Sequence, residues 1–330
     1  LLADPELPRK VIAGQAERIR RCISCENCID SMQMNDDLAC AVNPLSGREH
    51  EPVISPGKKK VVVVGGGTGG LEAARMAAEA GHRVVLLEKQ RRLGGSLTLA
   101  ATVHSANERF LNWLLAEVKR LGIEVRTGCA ATVESVKAEN PGAVIVSTGA
   151  RVKMPEIPGI EQSHVLTGAL MRQMVAGDLQ DDESWRLPKW QQWVVEKCVP
   201  LVQGIINPGL LRQASKFWLP LGNEVVIVGI DLVAVELAEF LAVRGRKVHL
   251  LDRRKKIAPE VGKKRRNEHM DRLDQLRITV NTAVEILRIE KDSVIIRVGG
   301  VERAVCGDSI IVAGDPVADT SLAQACLLYT

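Results

Sequence analysis

Two stretches of this sequence share one template, and that template restricts the fold more than any other feature. Val61-Val62-Val63-Val64 leads into Gly65-Gly66-Gly67-Thr68-Gly69-Gly70, then an Ala-rich segment over 71–80, Gly81 and a second apolar run ending at Glu88. From Glu224 the pattern returns. Gly65 and Gly81 are sixteen residues apart, as are Gly229 and Gly245. Gly65 precedes Glu88 by twenty-three residues, as Gly229 precedes Asp252, and Glu72 and Glu236 share one offset. Four β-branched residues bounded by charge and glycine predict a strand buried on both faces, as in a parallel sheet. Strand, glycine turn, helix and strand in succession predict a βαβ unit. The duplication therefore predicts an α/β chain with two Rossmann-like, doubly wound nucleotide-binding domains.

The first glycine turn carries the full dinucleotide fingerprint. Gly65 permits the tight turn, Gly67 lets backbone N–H groups approach a pyrophosphate, and Gly70 lets the helix pack close on the strand. The helix N-terminus adds partial positive charge. Glu88 is placed to accept hydrogen bonds from a ribose. Leu93-Gly94-Gly95 offers a second close backbone approach to the same ligand, and Thr148-Gly149-Ala150 marks a crossover between domains. Together these features favour FAD in the first half.

The second turn keeps Gly229 but has Asp231 and Ala234 at the other two positions. Ala is tolerated at the third position. Asp231 puts a carboxylate on the pyrophosphate's path, where like charges ~4 Å apart repel by about 1 kcal/mol in water and about 4 kcal/mol at an effective dielectric of 20. Three outcomes stay open: the side chain turns away, the nucleotide binds weakly, or it does not bind. Asp252 is placed to hold a ribose 2′-hydroxyl, which favours NAD over NADP. Arg253-Arg254-Lys255-Lys256 reads as a solvated face or as a partner for a 2′-phosphate, so the site is assigned to NAD(P)H.

Ahead of both units, Cys22, Cys25, Cys28 and Cys40 follow C-x2-C-x2-C-x11-C spacing. Three close thiolates and a fourth from a short loop suit the corners of a [4Fe–4S] cluster. Zinc, which favours two separated C-x2-C pairs, and purely structural thiols are the alternatives. Such clustering suits a reducing compartment rather than a secreted disulfide framework, and the chain is read as cytoplasmic. Cys129, Cys198, Cys306 and Cys326 stand apart and read as buried small residues. No cysteine lies between Cys40 and Cys129, so the redox-active pair of a disulfide reductase is missing.

Organisation follows from these landmarks. Residues 1–56 read as the cluster-binding segment and linker, 57–165 as the first part of the FAD-binding domain, and 166–220 as a Trp-rich insertion. Residues 221–318 read as the NAD(P)-binding domain, and 319–330 as a truncated return to the FAD domain. Trp185, Trp190, Trp193 and Trp218 in the insertion serve either as its own core or as a docking surface for another domain or subunit, a homo-oligomer included. The net charge of +4 is spread along the chain, which excludes a nucleic-acid footprint. No stretch has the ~20 apolar residues of a membrane helix.

The run Arg20-Arg21-Cys22-Ile23-Ser24-Cys25-Glu26-Asn27-Cys28, with Cys40-Ala41-Val42-Asn43-Pro44 and Gly47-Arg48-Glu49, resembles the C-terminal half of the iron–sulfur flavoproteins related to 2,4-dienoyl-CoA reductase, trimethylamine dehydrogenase and 2-enoate reductase. The first glycine unit with Leu93-Gly94-Gly95 matches that family's FAD or ADP segment, and the second is similar to its nicotinamide insert. The resemblance implies FAD/NAD-linked reductase domains and an N-terminal (β/α)8 barrel bearing FMN, as a domain or a separate subunit. It implies a route from NAD(P)H through FAD and the cluster to FMN, which reduces an activated alkene. In the amine-dehydrogenase members electrons run from an amine, and ADP replaces the second flavin. The substrate's general acid would lie in the barrel, so no catalytic residue is expected here.

Overall fold

The computed structural model describes residues 1–51, 55–162, 164–168, 207–219 and 221–327. The chain forms two compact units, Leu1–Arg151 together with the chain from Val317 onward, and Val152–Pro316.

In the first unit, β1 (Lys60–Val64), β2 (Arg83–Glu88), β3 (Glu124–Thr127) and β4 (Ala143–Val146) form a parallel sheet in the order β3-β2-β1-β4. Alternate residues of β1 face opposite layers. Val61 and Val63 pack with Leu71, Ala74, Phe110 and Leu114 from helices Thr68–Glu79 and Ser105–Arg120. Val62 and Val64 pack with Val136 from helix Val133–Ala138. Helices on both sides explain why the run is apolar throughout, and each buried Val or Leu contributes roughly 1.5–3 kcal/mol. The first helix starts at Thr68, three residues before the Ala-rich run. Packing overrides the low helix propensity of Gly69 and Gly70 there.

The chain passes between the units along β5 (Ala150–Lys153) and β14 (Asp315–Ala318). The second unit holds β6 (Val165–Thr167), β7 (Glu224–Val228), β8 (Lys247–Leu251), β9 (Thr279–Asn281) and β13 (Ser309–Val312). These pair in parallel in the order β6-β13-β7-β8-β9. Helices Leu232–Ala242 and Lys263–Gln275 cover one face through Val235, Ala238, Leu241 and Leu273. The other face meets an antiparallel meander, β10 (Glu285–Glu290), β11 (Ser293–Val298) and β12 (Val301–Cys306). Ile286, Ile289, Val294 and Ile296 of that meander pack on Val226, Val228 and Leu251. This unit is therefore wound with helices on one face and strands on the other, a departure from the doubly wound expectation. A bulge between Ile286 and Arg288 keeps Ile286 and Ile289 turned inward and Glu285, Arg288 and Glu290 outward.

Trp185, Trp190, Trp193 and Cys198 lie outside the described residues. Trp218 is described and is 45% exposed.

Candidate functional site

At the first turn the three glycines have different reasons to be glycine. Gly65 has φ 105°, and a β-carbon there would lie 2.1 Å from the Ser147 carbonyl oxygen. At Gly70 it would lie 1.8 Å from the Gly65 carbonyl oxygen. At Gly67, in contrast, it would meet nothing within 4 Å. Packing demands the first and third glycines, and the middle one faces open space. Gly67 is also the N-cap of helix Thr68–Glu79, and among the described residues no side chain is hydrogen-bonded into the helix start.

Other predicted residues gather at this turn. Glu88, only 7% exposed, accepts the Gly66 N–H at 2.5 Å and the Gln90 N–H at 2.8 Å. The Gly94 N–H donates to the Gly66 carbonyl at 2.8 Å. Gly67 and Gly94 form a parallel bridge, and a β-carbon at Gly95 would lie 3.1 Å from the Gly67 Cα. Gly149 stands two residues beyond Ser147, with nothing within 4 Å of its β-carbon position. Its carbonyl accepts the Asp319 N–H at 3.0 Å, while Thr148 Oγ1 donates to the Asp319 carbonyl at 2.8 Å. The sequence offered no local signal for Asp319, whose partners lie some 170 residues earlier in the chain.

The second turn repeats the backbone of the first and differs in its chemistry. Gly65 N–H donates to the Leu87 carbonyl at 2.8 Å, and Gly229 N–H donates to the Leu251 carbonyl at 2.9 Å. Where Gly67 leaves space, Asp231 turns inward and caps helix Leu232–Ala242, its Oδ1 accepting the Ala234 N–H at 2.8 Å. Glu260 accepts the Leu232 N–H. Burial pushes the Asp231 carboxyl above its ordinary value; the Ala234 N–H opposes that rise and the Glu260 charge adds to it. Asp252 is held by Arg254: Oδ1 accepts the Arg254 N–H at 2.7 Å and Nε at 3.1 Å, and Oδ2 accepts Nη2 at 2.7 Å. Gly229, Asp231, Asp252, Arg254, Gly314 and Asp315 line a cavity of about 290 Å3.

The cysteine segment is tied to the first unit through Arg20. Its N–H donates to Asp4 Oδ2 (2.8 Å), Nε to the Ala3 carbonyl (2.8 Å), Nη1 to Glu72 (3.2 Å) and Nη2 to Asn43 (3.0 Å). The guanidinium lies 5.0 Å from the Trp113 ring centre, and Trp113 Nε1 donates to the Arg18 carbonyl at 2.9 Å. Burial alone would raise the Asp4 carboxyl, but hydrogen bonds from Lys10 and Arg20 and the Lys10 charge hold it below its ordinary value. Ser24 and Glu26, both with left-handed backbone, alternate with Cys22, Cys25 and Cys28. Helix Asn27–Met34 starts just after Cys25.

All four cysteines are thiols rather than disulfides, with Cys22 exposed and Cys25, Cys28 and Cys40 half-buried. Four soft sulfur donors in one segment fit an iron–sulfur or zinc centre by donor chemistry. Among the described residues, however, no group of three or more His, Cys, Asp or Glu side chains is arranged around an ion position.

The sequence profile of the pyridine nucleotide-disulphide oxidoreductases matches residues 59–327. The chain belongs to that family. Among its relatives within and beyond that description, bilirubin reductase of Mediterraneibacter gnavus is 34% identical over 299 residues, covering 89% of this chain and 40% of the relative. NADH oxidase of Thermoanaerobacter brockii is 35% identical over 296 residues, covering 88% and 40%. The solved complex of 2-naphthoyl-CoA reductase with 2-naphthoyl-CoA superposes with a TM-score of 0.80 at 28% identity, covering 98% of this chain and 44% of that one. The chain thus spans less than half the length of these proteins. Their names bear out the expected oxidoreductase class. No described helix is long and apolar enough to cross a membrane.

Proposed function

We propose that this chain is the FAD- and [4Fe–4S]-bearing portion of an NAD(P)H-dependent flavoenzyme that reduces an activated alkene of the enoate or dienoyl-CoA kind. Its partner is an FMN-bearing (β/α)8 barrel, as a domain or a subunit. One observation carries the reading: Gly67 opens onto free space at an uncapped helix start, in the unit that also holds the four thiols. The reductase and NADH oxidase relatives support the reaction class, and the 2-naphthoyl-CoA reductase complex supports an unsaturated acyl-CoA as the kind of substrate.

In this reading Gly65, Gly67, Gly70, Gly94, Gly95 and Gly149 surround FAD. Gly67 admits the pyrophosphate to the amides of helix Thr68–Glu79. Glu88, already an acceptor for two backbone N–H groups, turns a lone pair to the ribose. Gly229 and Asp252 receive the nicotinamide nucleotide. Cys22, Cys25, Cys28 and Cys40 hold the cluster, and Arg20 fixes that segment against Glu72 of the FAD unit. When bound, FAD supplies exchange between hydride and single-electron chemistry, and the cluster supplies one-electron transfer. A reducing, cytoplasmic setting suits the four thiols.

The test is composition. Anaerobically prepared protein should show flavin absorbance over a broad iron–sulfur shoulder and carry about four irons per chain. A colourless preparation containing zinc would overturn the proposal.

A further inference from the structure

We propose that Glu260 sets the affinity of the second unit for a nicotinamide dinucleotide, holding the phosphate position at the start of helix Leu232–Ala242 until the incoming pyrophosphate displaces it. This rests on the reading of the second unit as a nucleotide site.

The duplicated turns supply an internal comparison. Both helices start at the same offset from the first glycine of their turn. Among the described residues, no side chain is bonded into the start of helix Thr68–Glu79. At helix Leu232–Ala242 two carboxylates of the chain are in place, Asp231 on the Ala234 N–H and Glu260 on the Leu232 N–H. Backbone N–H groups at a helix start are what bind a dinucleotide's phosphates. A tethered carboxylate on the same N–H competes with the ligand at high effective concentration.

The two carboxylates are not equally free to leave. Asp231 is half-buried and bonded within its own helix. Glu260 is exposed and reaches the Leu232 N–H from a separate segment. The backbone of that segment is pinned. Ala258 N–H donates to the Ile230 carbonyl at 2.7 Å, and Arg266 Nε donates to the Ile257 carbonyl at 2.9 Å. Arg266 also donates to the Val261 carbonyl, on the far side of Glu260. With its flanks fixed, Glu260 departs by rotation of its side chain into solvent, and the segment stays in place. Asp231 then remains as the cap, and the Leu232 N–H becomes available to phosphate. The observed dissociation constant is the intrinsic one divided by the fraction of molecules with Glu260 turned out.

The experiment is a calorimetric titration of the flavin-loaded chain with NADH, and in parallel with NADPH. Glu260→Ala should lower the Kd at least tenfold. Glu260→Gln keeps an acceptor for the Leu232 N–H without the charge, and should fall between wild type and Glu260→Ala. It also serves if Glu260→Ala proves unstable. Asp231→Asn should move the Kd less than Glu260→Ala does. Measurable binding with the same Kd in wild type, Glu260→Gln and Glu260→Ala would overturn the role of Glu260 while leaving the nucleotide site standing. A larger effect from Asp231→Asn would overturn it in favour of the cap residue. Failure of every variant, including Asp231→Asn with Glu260→Ala, to bind either nucleotide would overturn the nucleotide reading itself and this proposal with it.

Discussion

Gly70→Ala and Gly67→Ala add the same methyl group three residues apart, and should fail in different ways. At Gly70 the new β-carbon would lie 1.8 Å from the Gly65 carbonyl oxygen, well inside van der Waals contact. Both partners are backbone, so no rotamer relieves the clash, and helix Thr68–Glu79 must move off β1 by more than an ångström. Overpacking of this kind costs about 1–3 kcal/mol, and sometimes more. The better helix propensity of Ala returns about 1 kcal/mol. Because the clash is backbone against backbone, the cost sits at the upper end of that range, and a net loss of about 2 kcal/mol lowers the Tm of a unit this size by roughly 4–8 °C. At Gly67 the backbone has φ −76° and ψ −175°, and the β-carbon meets nothing within 4 Å. Ala is a poorer N-cap than Gly by about 1 kcal/mol at most, so the melt should stay within roughly 4 °C of wild type. The same methyl stands where a pyrophosphate approaches, and a clash of about 1–3 kcal/mol there weakens FAD roughly 5- to 150-fold. Thermal unfolding of the apoprotein by circular dichroism and fluorescence titration with FAD separate the two effects. A Gly70→Ala protein that melts with wild type, or a Gly67→Ala protein that keeps full FAD affinity, would refute the assignment of packing to one glycine and ligand access to the other.

Three further outcomes follow from the cysteine segment and its anchor. Asp4→Asn removes the carboxylate 2.8 Å from the Lys10 ammonium and leaves it Glu6 at 3.8 Å, and should cost about 1–3 kcal/mol in urea unfolding at neutral pH. Because folding holds Asp4 below its ordinary 3.8, its contribution is complete above that value and is lost as pH falls through the depressed one; the variant should lose this part of the acid limb. Trp113→Phe removes the hydrogen bond to the Arg18 carbonyl and weakens the contact with Arg20, for a loss of about 1–2 kcal/mol by the same unfolding assay. Cys28→Ser should strip most of the iron from protein reconstituted anaerobically, whereas Cys129→Ser should keep it, as read by iron analysis; equal iron in both would contradict ligation by the quartet.

What could be read from the sequence was local or periodic. Equal spacing in the two glycine units anticipated equal backbone bonds, and both Gly65 and Gly229 donate to the last leucine of the neighbouring strand. The strand Arg83–Glu88 agrees with its apolar run, because burial on both faces leaves a continuous signature. The meander was harder to read, since a bulge between Ile286 and Arg288 breaks the alternation of its first strand and Ser293–Ile296 are buried in succession. Helix Ser105–Arg120 begins before its obvious apolar stripe because polar residues at its start leave no periodic signal. Contacts across long sequence separations were not legible at all. Glu260 meets Leu232 from 28 residues away, and Arg20 meets Glu72 from 52. Each pairing depends on where the fold carries the chain.

In the proposed function, a nicotinamide nucleotide delivers electrons to a flavin held at the Gly65–Gly67–Gly70 turn. Rapid anaerobic mixing of the flavin-loaded protein with NADH or NADPH should bleach the visible flavin band. A preparation with full flavin and iron that keeps its colour under saturating amounts of both nucleotides would contradict the account.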